Sequence, residues 1–141
     1  MNRITLKTSD WPIVLTTVDG DLDERELVPY FAEFQSRVLA RAQLFSSIVD
    51  ATRITSAPSA RVRKLVADWE IEHGAVGEKY NVGVAIVTTS ALVRGAMTAI
   101  QWISPPRVPT TYEATVPAAI SWAESHLRQR GVLVRPEARV G

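Results

Sequence analysis

The sequence of 141 residues contains no cysteine. This absence excludes a disulfide framework, a zinc–thiolate site, an iron–sulfur cluster and a thiol nucleophile. No apolar run approaches the roughly 18 residues that a membrane-spanning helix requires, and residues 1–11 have no apolar segment after their charges. We therefore expect a cytoplasmic protein with no membrane insertion.

Excess charge of either sign is also missing, because the formal net charge is only +1. A general nucleic-acid-binding protein would show a strong basic bias, so we expect no nucleic-acid partner. The 46% of hydrophobic residues and 22% of charged residues suit one soluble domain with its own core. We predict a domain over residues 1–130 and a C-terminal tail over residues 131–141.

Residues suited to catalysis are scarce. The two histidines, His73 and His126, fall in separate predicted helices, and neither has metal-ligand spacing or a serine and carboxylate arranged for nucleophilic catalysis. The sequence also has no glycine-rich phosphate loop. We therefore predict no enzyme activity, no catalytic residues, no cofactor and no metal site.

Hydrophobic periodicity predicts the element order β-β-α-β-α-β-α-β-α. Helices that alternate with short strands are typical of an α/β fold with parallel crossovers, here a single mixed sheet of about five strands with four helices. Asp21 or Asp23 can cap the first helix, and Pro29 should leave its first turn kinked or frayed. Pro109 predicts that the last strand lies at an edge of the sheet.

Two hydroxyl-rich loops follow successive predicted parallel strands. The carboxyl ends of such strands share one edge of the sheet, where free N–H groups and helix dipoles favour anions. We predict that this edge binds a partner or an anion, through two groups of residues: Thr52, Arg53, Thr55, Ser56 and Ser59 in the first loop, and Thr88, Thr89, Ser90 and Arg94 beyond the second strand. The alternative is structural, because serine is an ordinary helix N-cap and the rest of each loop could simply turn the chain.

Three segments together resemble the SpoIIAA-like or STAS-like family of the STAS/SEC14 superfamily. These are "IVDATRITSAPSARVRKL", in which a strand ends in aspartate; "VGVAIVTTSALVRGAMTAI", with its Arg94-Gly95 step; and "TTYEATVPAAISWAESHL", in which an edge strand precedes an A-x-x-W helix. The resemblance covers about residues 10 to 128. It implies a regulatory or scaffolding module that binds a protein partner rather than an enzyme.

The resemblance also implies a position for regulatory phosphorylation. Anti-sigma antagonists of this fold carry a phosphorylatable serine or threonine after an Asp-Ser step, and Ser59 occupies the corresponding position. Here Pro58 replaces the aspartate, so we predict that phosphorylation of Ser59 is not the switch. The SEC14 side of the superfamily offers an alternative function, a carrier of a lipid or nucleotide.

Trp102 lies off the apolar stripe of its predicted helix, beside Pro105-Pro106. An exposed tryptophan would mark a contact surface, and we predict that it anchors a homodimer. The alternative is that it packs under the proline turn.

Overall fold

Ten elements make up the computed structural model, which describes residues 2–134. In chain order they are β1 (Arg3–Lys7), β2 (Ile13–Gly20), α1 (Glu24–Arg37), a single 3-10 turn (Leu39–Arg41), β3 (Phe45–Ile54), α2 (Ala60–Tyr80), β4 (Asn81–Val87), α3 (Ala91–Ile103), β5 (Thr110–Glu113) and α4 (Val116–Gln129). Apart from the 3-10 turn, this is the order predicted from the sequence. The α/β class, the five strands and the four α-helices are confirmed.

The five strands form one sheet in the order β1-β2-β3-β4-β5. β1 pairs with β2 in an antiparallel manner, and the remaining neighbours are parallel. β5 is therefore an edge strand, as Pro109 predicted, and Val84 donates its backbone N–H to the Pro109 carbonyl. Because β2 to β5 run in the same direction, the loops that leave their carboxyl ends lie along one edge of the sheet.

Each α-helix begins at a polar side chain that accepts a backbone N–H from the first turn. These N-caps are Asp23, Ser59, Ser90 and Thr115. The first turn of α1 begins in regular fashion at Glu24, and Pro29 lies inside a helix that continues to Arg37. The expectation of a kinked or frayed first turn is thus wrong. The Asp23 cap and the buried side chains of Leu27 and Phe34 hold the helix on either side of the proline.

The sheet buries apolar side chains on both faces. On one face, α4 contributes Ala119, Ala123 and Leu127 to a core with Ile48 and Ala85. Val132 and Val134 pack against this core, so the chain still makes contacts beyond the predicted domain end at residue 130. Most of the predicted tail, residues 135–141, lies outside the described residues.

The opposite face of the sheet is covered by α1, α2 and α3. A second core packs Phe34 and Val38 against Val14 and Phe45, with Trp69 of α2 partly buried beside it. Aromatic rings meet here, since Phe31 and Trp69 stack with their ring centres 4.7 Å apart. No helix within residues 2–134 combines the length and the hydropathy that crossing a bilayer would require.

Candidate functional site

The two predicted loops leave adjacent strands. β3 and β4 are parallel neighbours, with Asp50 opposite Val87. The segment that joins β3 to α2 and the segment that joins β4 to α3 therefore emerge at the same edge of the sheet. The structure brings the two groups of predicted site residues to this edge, although their side chains make different contacts from those the prediction required.

The first loop is shorter than the sequence indicated, because β3 continues to Ile54. Thr52 and Arg53 are strand residues, and Arg53 lies opposite Asp19 in the β2–β3 register. The guanidinium of Arg53 lies 3.4 Å from the Asp19 carboxylate. The hydroxyl of Thr52 donates to the Asp50 carboxylate at 2.6 Å. Both polar groups thus have carboxylate partners within the chain.

Asp21 receives the hydroxyl groups of the first loop. The hydroxyls of Thr55 and Ser56 both donate to its Oδ1 at 2.6 Å. These two hydrogen bonds, that from Ser56 first, lower the pKa of Asp21 below its ordinary value. Since Asp19, Asp21 and Asp50 occupy the donors, this part of the edge presents carboxylates beside its arginines. The prediction of a simple anion-attracting loop did not consider these three aspartates.

Two serines of the edge, Ser59 and Ser90, act as helix caps. The Ser59 hydroxyl accepts the N–H of Val62 at 3.2 Å, and the Ser90 hydroxyl accepts the N–H of Val93 at 3.3 Å. Thr88 is buried, and its hydroxyl accepts the N–H of Ser90 at 3.0 Å. The structural alternative considered for the serines therefore accounts for their geometry, while Thr89 is exposed.

Arg94 extends from α3 across the edge strand. Its guanidinium lies 5.1 Å from the centre of the Tyr112 ring, a cation–π arrangement. The residue is nevertheless exposed. Arg94 is thus a predicted site residue that stays accessible while an aromatic ring positions it.

The outer face of α3 exposes large apolar side chains. Trp102 is 82% exposed, Leu92 is 70% exposed and Ile103 is 48% exposed. Trp102 therefore does not pack under the Pro105-Pro106 turn. We refer to Leu92, Trp102 and Ile103 as the outer face of α3.

A cavity of about 280 Å³ lies between the sheet and helices α1, α2 and α3. Its wall is mainly aliphatic and aromatic, with Val49 and Ile86 from the sheet, Phe31 from α1, Trp69 from α2 and Met97 from α3. Sequence analysis did not predict this cavity. A carrier of apolar ligands would need such a space.

Small residues on opposing surfaces leave the cavity open. Ser47 and Ala51 face it from β3, and Gly74 and Gly77 face it from α2. A Cβ atom added at Gly77 would meet no atom within 4 Å. One sequence signal could have indicated this space. Gly74 and Gly77 are spaced to lie on the face of α2 that also carries Trp69.

Polar side chains also line the cavity, although most of its surface is apolar. The hydroxyls of Thr16 and Tyr30 are hydrogen-bonded to each other at 2.7 Å. Burial raises the pKa of Tyr30 to about 12, so this phenol stays protonated. Glu70 of α2 also lines the cavity, and burial raises the pKa of its carboxyl to about 7.

The fold is shared with solved structures of low sequence identity. An uncharacterized protein of the DUF3478 family with a SpoIIAA-like fold, from Shewanella loihica PV-4, superposes with a TM-score of 0.63 at 15% identity, over 87% of this chain and 95% of that chain. An anti-sigma factor antagonist from Mycobacterium paratuberculosis gives a TM-score of 0.55 at 14% identity, over 88% of this chain and 95% of that chain. No protein-family profile and no curated protein sequence matches the chain. The SpoIIAA-like, STAS-like architecture predicted from the sequence is confirmed.

Proposed function

We propose that the protein is a non-enzymatic regulatory or scaffolding module that binds a protein partner through the outer face of α3 and the adjoining edge at Arg94. The observation that carries this proposal is the 82% exposure of Trp102 on a helix that also exposes Leu92 and Ile103. The structural likeness to an anti-sigma factor antagonist is consistent with a role of this kind.

The composition of the surface suits a protein contact. Within α3, Arg94 is the only charged residue. Tryptophan and arginine are the residues most enriched among those that dominate binding energy at protein interfaces. Large apolar side chains grouped on one helix face keep apolar area in contact with water until a partner covers it.

The edge beside this helix is proposed to help recognise the partner. Arg94 is exposed over Tyr112, and Arg53 is exposed beside Asp19. The carboxylates of Asp19, Asp21 and Asp50 lie at the same edge, which therefore presents charges of both signs. Other predicted residues of the edge are Thr52, Thr55, Ser56, Thr88 and Thr89. Mixed charge of this kind contributes to orientation and association rate more than to affinity.

The prediction that Ser59 is not a phosphorylation switch rests on Pro58, which precedes it in place of an aspartate. Ser59 is exposed, and its hydroxyl caps α2 by accepting the N–H of Val62. Phosphoproteomics of the native organism tests this prediction. Stoichiometric phosphoserine at position 59 would contradict it.

Affinity capture from a lysate of the native organism tests the partner-binding proposal. We expect Trp102→Ala to lose a captured protein that the wild type retains, because the truncation removes the largest exposed apolar side chain. Ile71→Ala is the matched control, since Ile71 is 54% exposed on α2, away from the outer face of α3. If both variants lose the captured protein, or if both retain it, the proposal is contradicted.

The edge residues need a separate variant. Replacing Arg53 and Arg94 together by alanine should weaken capture of the same protein while the melting temperature stays nearly unchanged, because the exposed ion pair of Arg53 and the exposed cation–π contact of Arg94 contribute little to stability. Unaltered capture would remove the edge from the proposed binding surface.

A second copy of the chain is the partner that the predicted homodimer requires. Light scattering between 10 and 500 µM, on the order of typical transient dimer affinities, tests it. We expect the mass to rise toward that of a dimer for the wild type and to stay monomeric for Trp102→Ala. A wild-type monomer throughout would contradict the homodimer and leave a different protein as the partner.

A second function, small-ligand binding, is favoured by one specific observation, the apolar cavity beside Glu70. This is the carrier alternative considered from the sequence. The wall favours a lipid-like ligand over a nucleotide, because most of it is apolar and its arginine, Arg107, is paired with Glu78 at 3.6 Å, whereas nucleotide phosphates are usually held by backbone N–H groups and free basic side chains. Native mass spectrometry of the purified protein tests it by detecting a co-purified small molecule.

A further inference from the structure

We propose that the cavity between the sheet and helices α1 to α3 binds a small apolar alcohol, whose hydroxyl group is hydrogen-bonded by the carboxyl of Glu70. The proposal deepens the second function above and rests on it. It names the chemical class of the ligand and the side chain that recognises its polar group.

The volume of the cavity sets the length of chain that fits inside it. Its volume is about 280 Å³. A water molecule in the liquid occupies about 30 Å³, so the cavity holds roughly nine groups of that size. A methylene group is similar in size to a water molecule, so a chain of about eight carbons with one hydroxyl matches the space.

The wall defines the body of the ligand. Val49, Ile86, Phe31, Met97 and the ring of Trp69 make most of this wall apolar. An aliphatic or isoprenoid chain that enters the cavity leaves water without losing any hydrogen bond. A sugar or a nucleotide would lose hydrogen bonds to water that these side chains cannot replace.

Glu70 defines the polar group of the ligand. Within residues 2–134 its carboxyl has no hydrogen bond or ion pair to another side chain, whereas the Tyr30 hydroxyl is already paired with Thr16. The carboxyl is partly buried at the cavity wall, and an alcohol in the cavity would give it a hydrogen-bond partner there. An alcohol fits both protonation states, since its hydroxyl donates to a carboxylate and accepts from a carboxylic acid.

Each of the other ionisable groups of the wall has a partner of its own or is neutral. Arg107 lies 3.6 Å from Glu78, and both side chains are more than half exposed at the rim. His73 is hydrogen-bonded through Nδ1 to the Trp69 carbonyl, and Tyr30 stays neutral because its pKa is about 12. The strands and α3 add no ionisable side chain to the wall.

An anionic ligand of the same length should be rejected once Glu70 is ionised. Two negative charges about 4 Å apart at an effective dielectric constant near 20 repel so strongly that the anion would bind only protein in which Glu70 is protonated, so its binding weakens about tenfold for each pH unit above the pKa. Because burial raises the pKa of Glu70 to about 7, this rejection should be present at pH 8.5 and mostly absent at pH 5.5. The alcohol should bind almost equally at both values.

Titration calorimetry with 1-octanol and octanoate at pH 5.5 and pH 8.5 tests the proposal on the full chain. We expect the wild type to bind octanol at both values and to bind octanoate at least tenfold more weakly at pH 8.5 than at pH 5.5. Glu70→Gln should abolish this pH dependence, because the amide is uncharged. Octanoate binding that is independent of pH in the wild type would overturn the assignment of Glu70.

A matched pair of glycine substitutions locates the binding. Gly77→Leu fills the cavity, whereas Gly95→Leu adds the same side chain to α3 outside the cavity; a Cβ at either position meets no atom within 4 Å. We expect the first variant to lose octanol binding and the second to retain it, with Gly77→Ala as a smaller filling if Gly77→Leu does not fold. Retention of octanol binding by a folded Gly77→Leu protein would overturn the location.

The results separate failure of this inference from failure of the ligand-binding function. If octanol and octanoate bind with equal strength at pH 8.5 and Gly77→Leu removes both, the cavity binds apolar ligands but the specificity proposed for Glu70 is wrong. If the wild type binds neither molecule and carries no co-purified small molecule, the ligand-binding function and this inference both fail.

Discussion

Glu70 should make the stability of the protein fall as the pH rises through the neutral range. Its carboxyl lies in an apolar cavity, and burial raises its pKa from 4.5 to about 7. The folded protein therefore holds this proton more tightly than the unfolded chain does. Between pH 4.5 and about 7, the unfolded chain loses the proton first, so the free energy of unfolding falls as pH rises and then levels off.

The size of the effect follows from the change in pKa. The interval between 4.5 and about 7, at about 1.4 kcal/mol for each pKa unit, sets an upper bound of about 3–4 kcal/mol. Glu70 is only partly buried, so screening by water reduces this bound, and we expect about 1–2 kcal/mol. Glu70→Gln has no charge to bury and should therefore be more stable than the wild type by about that amount above pH 7.

Urea unfolding followed by tryptophan fluorescence, at intervals from pH 4 to pH 8.5, measures this difference. We expect the stability advantage of Glu70→Gln to grow as pH rises from 4.5 to 7 and then to stay constant. Glu72→Gln is the control, because Glu72 is an exposed carboxylate on the same helix and its replacement should shift stability little at any pH. A difference between Glu70→Gln and wild type that does not vary with pH, or that favours the wild type at pH 8, would refute the reasoning.

Packing and hydrogen bonds predict the effect of substitutions at four further positions. Gly83→Ala should cost about 1–3 kcal/mol in urea unfolding, because its Cβ would lie 2.6 Å from the Trp122 ring. By contrast, Gly77→Ala should stabilise the protein by about 0.5–1 kcal/mol, since it lies in helix α2 and its Cβ meets no atom within 4 Å; any loss of stability would contradict this. Tyr30→Phe should cost about 1–3 kcal/mol, because it leaves the buried Thr16 hydroxyl without its partner at 2.7 Å, and an unchanged midpoint would show that water replaces the phenol. Ser59→Ala should cost about 1 kcal/mol and Ser59→Asp much less, because aspartate can also accept the Val62 N–H; equal losses in the two variants would argue against the cap.

The fold could be predicted because its signals are local. The apolar segment that became β4, the cap residues Ser59, Ser90 and Thr115, and the proline before β5 each act within a few residues of their own position. Parallel strands joined by helices then leave few arrangements of the sheet. The boundary of β3 was missed because Thr52 and Arg53 look like loop residues in sequence, whereas pairing with β2 extends the strand to Ile54.

The contacts of the candidate site depended on residues far away in the chain. Asp21 lies 34 residues before Thr55, yet it receives the hydroxyl groups of Thr55 and Ser56. Composition and spacing indicate that donors are present in the loop, but the acceptors that occupy them come from the segment after β2. The cavity escaped prediction for a related reason, since it depends on small side chains of β3 lying opposite the glycines of α2.

Helix α3 relates the two proposed functions to each other. Met97, Ile100 and Gln101 face the cavity, whereas Leu92, Trp102 and Ile103 form its exposed outer face. A ligand in the cavity and a protein on the outer face would therefore contact different side chains of the same helix. If occupancy of the cavity shifts α3, each ligand must change the affinity for the other by the same factor, because such coupling is reciprocal.

Variants of the outer face leave the cavity wall unchanged, and variants such as Glu70→Gln leave the outer face unchanged. Partner capture by Glu70→Gln and octanol binding by Trp102→Ala would therefore report on coupling between the two sites rather than on direct loss of contacts.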